Sequence, residues 1–128
     1  MKQLALIALS AVLASCSSGS ELKDVKSFKF EGGAHQAGRV AYEQTPPAGG
    51  AHNGAWQNCG VYDRALYDEY AVHSMEHGAV WITYKVGTPP EQIQALKTLV
   101  NGRTYTLLSP HESQLSLIHI SEPTRLGM

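Results

Sequence analysis

Cysteine is nearly missing from this chain. Only Cys16 and Cys59 occur in 128 residues, and neither belongs to a C-x-x-C pair. A disulfide-dense scaffold and a thioredoxin-type redox pair are therefore excluded. Excess charge of one sign is also missing. Ten Lys/Arg stand against 11 Asp/Glu, and the formal net charge is −1. With no basic patch and no charge run, nothing points to nucleic acid as a partner. Long apolar runs are absent too. The longest, Leu4 to Leu13, holds ten residues, where a bilayer-spanning helix takes roughly 20.

That short run has a different reading. Lys2 supplies a small positive region, the apolar run follows, and Leu13-Ala14-Ser15-Cys16 leads into Ser17-Ser18-Gly19-Ser20. This resembles a bacterial lipobox followed by a polar tether. Residues 1–15 are then a lipoprotein signal peptide. Cys16 becomes the lipidated first residue, and 16–27 a lipid-anchored tether. The expected location is exported and membrane-anchored, facing the periplasm or the outside. The expected partner is a membrane, reached through the lipid on Cys16. Ser17 is compatible with outer-membrane sorting in a Gram-negative cell. Lipidation of Cys16 leaves Cys59 as the one free thiol, which invites a functional explanation in an exported protein.

At the other end, Leu115-Ser116-Leu117-Ile118-His119-Ile120-Ser121-Glu122-Pro123-Thr124-Arg125-Leu126-Gly127-Met128 resembles a translated sequencing adapter. Residues 115–128 are read as an artefactual tail, with the natural C-terminal part missing, and His119 is kept out of any site. The span 28–114 is one small domain.

Within it, alternation predicts short strands over Ser27–Glu31 and Gly38–Glu43. Thr45-Pro46-Pro47-Ala48-Gly49-Gly50-Ala51-His52-Asn53-Gly54 is too rich in proline and glycine for regular structure and forms a long loop. Such a loop in a compact domain is often functional. Ala71–His77 suits two helical turns, closed by Gly78 at C′. Ala79–Val86 is nearly continuous in β-branched and aromatic residues, as a central strand is. Thr88-Pro89-Pro90-Glu91 predicts a capped helix start, with Thr88 as N-cap and Pro89 at N1. Ile93, Leu96, Leu99 and Val100 form its apolar face, and Asn101-Gly102 ends it. Arg103–Leu108 is the next strand, before Ser109-Pro110. The fold class is α+β: a small mixed sheet with a strand–helix–strand unit over about 79–108, parallel by default, and long Gly/Pro-rich loops.

The chemistry concentrates in histidine. His73-Ser74-Met75-Glu76-His77-Gly78 places two imidazoles four apart, on one helix face about one turn from each other. Two such rings can converge on one ion. His52 and Cys59 lie on the irregular segment before them, able to fold over that helix. The candidate metal ligands are His52, Cys59, His73 and His77, with His35, Tyr62 and Glu76 in support. Copper or zinc fits imidazole and thiolate donors. Other readings stay open: His73 and His77 as a hydrogen-bonded structural pair, Cys59 as a small buried residue, and Cys59 as a nucleophile with a histidine base. The run also fits H-x-x-E-H, the inverted zinc-protease motif, in which the glutamate serves as general base. Gly78 and a strand follow at once, which leaves that helix short for the motif. No catalytic residue is assigned.

Three segments together carry a family pattern. They are Pro46-Pro47-x-Gly49-Gly50-x-His52, Trp56-x-x-Cys59-Gly60-Val61-Tyr62, and Ala71-Val72-His73-Ser74-Met75-Glu76-His77-Gly78-Ala79-Val80-Trp81. They resemble the bacterial family named domain of unknown function 3105, over roughly residues 31–112. Met75 stands where that family usually has leucine, and Ala48 and Gly49 stand where it tends to have serine and glycine. The resemblance implies an exported or membrane-anchored domain with no established activity, and signature positions at His52, Cys59, Tyr62, His73, Glu76, His77 and Gly78. It also implies a further C-terminal segment beyond Ser109-Pro110.

Overall fold

The structure is a computed structural model that describes residues 23–123. The signal-like segment and Cys16 lie outside the described residues. Its elements are β1 (Gly60–Val61), α1 (Asp68–Glu76), β2 (Val80–Lys85), α2 (Pro90–Val100), β3 (Thr106–His111) and β4 (Ile118–Ser121). They form one four-stranded mixed sheet in the order β1-β3-β2-β4. β3 runs parallel to both β1 and β2, and β4 runs antiparallel to β2. The class is α+β, and β2-α2-β3 is the expected parallel crossover. β4 lies within the segment that resembles adapter translation.

Side chains on a strand alternate between faces, and here both faces are covered. Trp81 and Leu107 point to one face and meet Ala71, Val72 and Met75 of α1. Ile82, Tyr84 and Leu108 point to the other and meet Leu96 and Val100 of α2. This explains why β2 reads as a continuous apolar run: four of its six residues are buried. Trp81 fills the α1 side, where its Nε1–H donates to Ser109 Oγ at 3.0 Å.

Several expectations need correction. Neither Ser27–Glu31 nor Gly38–Glu43 forms a strand. These residues are mostly exposed, so their alternation has no buried face to serve. β3 begins at Thr106 and continues through Ser109 and Pro110 to His111. Proline is admitted there because β1 covers only Leu107 and Leu108, which leaves β3 an edge on that side at Pro110. Thr88 does not cap α2. Its hydroxyl donates back to the Lys85 carbonyl at 2.6 Å, and Pro89 takes the N-cap position. Leu99 is 53% exposed, so the apolar face of α2 narrows to Ile93, Leu96 and Val100.

α1 carries two stripes. Ala71, Val72 and Met75 face the sheet. Glu69, His73, Glu76 and His77, spaced 4, 3 and 1, fall along the other side. Asp68 and Glu69 in its first turn suit the positive helix end. The helix stops where expected: His77 is the C-cap, and Gly78 follows at φ +99°. Among the described residues, no helix is long and apolar enough to cross a membrane.

Candidate metal centre

The polar stripe of α1 is roofed by two loops zipped together. His52 N–H donates to the Ala34 carbonyl at 3.0 Å, and Gln36 N–H donates to the His52 carbonyl at 2.8 Å. His35 and His52 therefore sit side by side. Asn53 N–H donates to the Glu69 carbonyl at 3.2 Å, which sets the His52 loop on α1. The proline–glycine stretch is shaped for this. Pro46 and Pro47 are buried. A Cβ on Gly49 would come within 2.6 Å of the Phe30 ring, so only glycine admits that ring. Gly50 takes φ +106°, a conformation that suits glycine.

Three histidine rings meet under this roof. The His35 and His73 rings stack, with centroids 5.2 Å apart, and His52 stands edge-on to both at 5.1 and 4.9 Å. Among the described residues, His35, His52 and His73 form the one group of at least three potential ligands whose donor atoms all lie within 4.8 Å of one another. A tetrahedral ion with bonds of about 2.1 Å holds its nitrogens roughly 3–4 Å apart. Side-chain torsions take up the difference.

The tautomers follow from the backbone. His52 Nδ1 lies 2.8 Å from the Gly50 carbonyl, and His73 Nδ1 lies 2.7 Å from the Asn53 carbonyl. A carbonyl only accepts, so each Nδ1 carries the hydrogen. Each neutral ring then presents a bare lone pair at Nε2. Metal-ligating histidines are oriented in the same way, by a carbonyl on the far nitrogen. Both rings are out of water: His52 is 1% exposed and His73 4%.

The two lone pairs meet different neighbours. His73 Nε2 accepts from His77 Nε2–H at 2.9 Å. His52 Nε2 lies 2.7 Å from Glu76 Oε2, yet it is fully buried and has no hydrogen-bond partner. The contact is at ion-pair distance without the alignment of a hydrogen bond. The other oxygen of Glu76 accepts from Gly33 N–H, on the loop that carries His35.

Of the expected ligands, His52 and His73 converge. His77 reaches His73 from the exposed side and stays outside the trio. Cys59 is exposed and not among the converging donors. It lines an apolar pocket of about 330 Å³ with Trp56, Ser74, His77, Ala79 and Tyr105. Tyr62 supports β1, and its hydroxyl donates to the Asn58 carbonyl. His35, first placed in support, is the third member of the cluster. Its signal was local: Gly32-Gly33-Ala34-His35 is a tight, glycine-opened turn, yet nothing in spacing alone joins it to His52. A half-buried histidine–carboxylate pair also escaped the sequence reading. His111 Nε2–H donates to Asp68 Oδ1 at 3.1 Å, and Ser113 N–H donates to His111 Nδ1 at 3.3 Å.

The profile of a family described as "Protein of unknown function (DUF3105)" matches residues 34–122. The chain belongs to the DUF3105 family. The match takes in His35, His52, Cys59, His73, Glu76 and His77, and it runs ten residues past the 112 boundary read from the motifs. No curated protein and no solved structure shows a significant match. The DUF3105 assignment thus brings no reaction with it, and the chemistry rests on the histidine cluster.

Proposed function

We propose that this domain binds a transition metal ion, copper or zinc, through His35, His52 and His73. The carrying observation is that three rings converge and two of them have Nδ1 committed to backbone carbonyls, with His52 Nε2 buried and without a hydrogen-bond partner. A buried lone pair without a donor costs about 1–3 kcal/mol, and a cation removes that cost. The signal-like N-terminus supports an exported, membrane-anchored setting with the lipid on Cys16, which makes metal handling at the cell envelope the natural role. The test is metal titration of the full chain with zinc and copper, followed by elemental analysis. One ion per chain is expected. His52→Ala and His73→Ala lose it, and Cys59→Ala keeps it. Wild-type protein that retains neither metal refutes the reading.

A second reading is favoured by one contact, the His77–His73 hydrogen bond at 2.9 Å, which already satisfies one lone pair. Here the histidines are a hydrogen-bonded scaffold beneath a surface that binds a partner, with no metal. His73→Ala then lowers the melting temperature equally with and without chelator. Under the metal reading, chelator shrinks the difference between wild type and variant.

A further inference from the structure

Glu76 stands at the point where a metal on His52 has to go. Its Oε2 is 2.7 Å from His52 Nε2. The Gly50 carbonyl holds a hydrogen of His52 on Nδ1, so whenever the ring is neutral its Nε2 lone pair faces a carboxylate oxygen. The contact is at ion-pair distance, yet His52 Nε2 is buried without an aligned hydrogen-bond partner, which leaves a gap in the bonding of this site. A cation closes it. An ion takes imidazole nitrogen at about 2.0–2.1 Å and carboxylate oxygen at about 2.0–2.2 Å, so a small opening of the pair admits it between them.

The carboxylate is also built in. Gly33 N–H donates to Oε1, and a Cβ on Gly32 would come within 3.1 Å of the same oxygen. The backbone of residues 32–33 therefore wraps one oxygen and leaves the other turned to His52. That wrapping backbone is continuous with His35.

We infer that Glu76 is the fourth protein ligand, completing a three-histidine, one-carboxylate set, and that the site is built for a divalent ion of the zinc class rather than cuprous copper. This rests on the metal reading above. Soft cuprous ion prefers thiolate and thioether, whereas zinc accepts imidazole and carboxylate together. The one described thiol, Cys59, is exposed and outside the converging donors, whereas Glu76, also outside that 4.8 Å group, touches it through His52. Gly33 N–H orients the ligand carboxylate from outside, so metal binding and the position of the His35 loop are coupled.

Glu76→Gln separates the alternatives, because the amide keeps the shape. Its oxygen still accepts from Gly33 N–H, and its N–H₂ donates to the His52 lone pair. The metal-free variant should melt above metal-free wild type. Its zinc affinity should fall by at least about tenfold, the size of effect expected when a ligand or its support is lost. Cobalt(II), used as a visible probe, should give shifted absorption bands in the variant. Three results overturn the inference. One is zinc affinity and a cobalt spectrum equal to wild type while His73→Ala binds nothing. Another is a metal-free Glu76→Gln that melts lower, which marks the pair as an imidazolium–carboxylate ion pair. The third, wild type that binds no zinc, removes the metal reading along with it.

Discussion

At the residue scale, small groups set the positions of large ones. Gly49 admits the Phe30 ring so closely that a methyl group cannot enter. Gly49→Ala should destabilise the fold by about 1–3 kcal/mol, the usual range for forced overpacking, as measured by denaturant unfolding. Ser74 is a second such residue. Its hydroxyl donates to the Gln57 carbonyl at 2.6 Å and accepts from Gln57 N–H at 3.0 Å, tying the Trp56 loop to α1. Ser74→Ala leaves the Gln57 carbonyl short of a partner, while Gln57 N–H keeps the Tyr70 carbonyl at 3.2 Å, so a loss of about 1–3 kcal/mol is expected. Tyr42 reads out pH. Burial, and then the charges of Glu69 and Asp68, hold its phenol well above the ordinary tyrosine range. Above about pH 10 the unfolded chain loses the phenolic proton while the folded chain keeps it. The contribution is fully present below that pH and fades as pH rises, because the folded state then binds more protons. The alkaline decline in stability should be shallower in Tyr42→Phe than in wild type.

At the element scale, the strand–helix–strand unit was legible because its signals are local. β2 declares itself by a run of Val, Trp, Ile, Thr and Tyr, and α2 by the prolines before it and the glycine after it. The start of α2 was misplaced by one residue, since Pro89 and Pro90 both suit a first turn and sequence cannot weigh the Thr88–Lys85 bond. The predicted strands before residue 44 failed for a tertiary reason: alternation marks a strand only where a sheet lies beside it. α1 was legible at its end, where Gly78 is decisive, and not at its start, where Tyr67 caps without a side-chain bond. Its polar stripe also holds Glu69, 2% exposed, whose Oε1 lies 3.2 Å from Arg39 Nε. Arg39 in turn lies over the Tyr67 ring at 4.6 Å. Arg39→Ala should lower stability, since it leaves a buried carboxylate without its charge partner. Arg39→Lys should restore only part of the loss, because an ammonium cannot lie flat on that ring while reaching the carboxylate. Thermal melts of the two variants check this order.

At the scale of the whole molecule, the sheet is a platform and the centre sits to one side of it, between α1 and the loops. Metal binding should therefore appear as a global gain. At a free metal concentration 100 times the dissociation constant, the stabilisation is about 2.7 kcal/mol. In a domain of this size that corresponds to a melting shift on the order of 10–20 °C, lost on adding chelator. Two of the three cluster histidines were legible in the sequence: His73 announces itself by helical spacing, and His52 by its glycine-rich loop. His35 was not, because its approach to His52 depends on hydrogen bonds between two irregular segments, and irregular backbone leaves no period to read. Those bonds have a further consequence. Residues 50–53 hold their own His52 ring and three other parts of the chain, mostly by main-chain atoms: the Gly50 carbonyl on His52, the Ala51 carbonyl on the Tyr42 hydroxyl, the His52 amide and carbonyl on residues 34 and 36, and the Asn53 carbonyl on His73. Exchanging a side chain does not delete a carbonyl. An alanine scan is therefore blind to much of what aims these rings, most plainly at Ala51, and amide-to-ester replacement along 51–54 is the chemistry that would expose it.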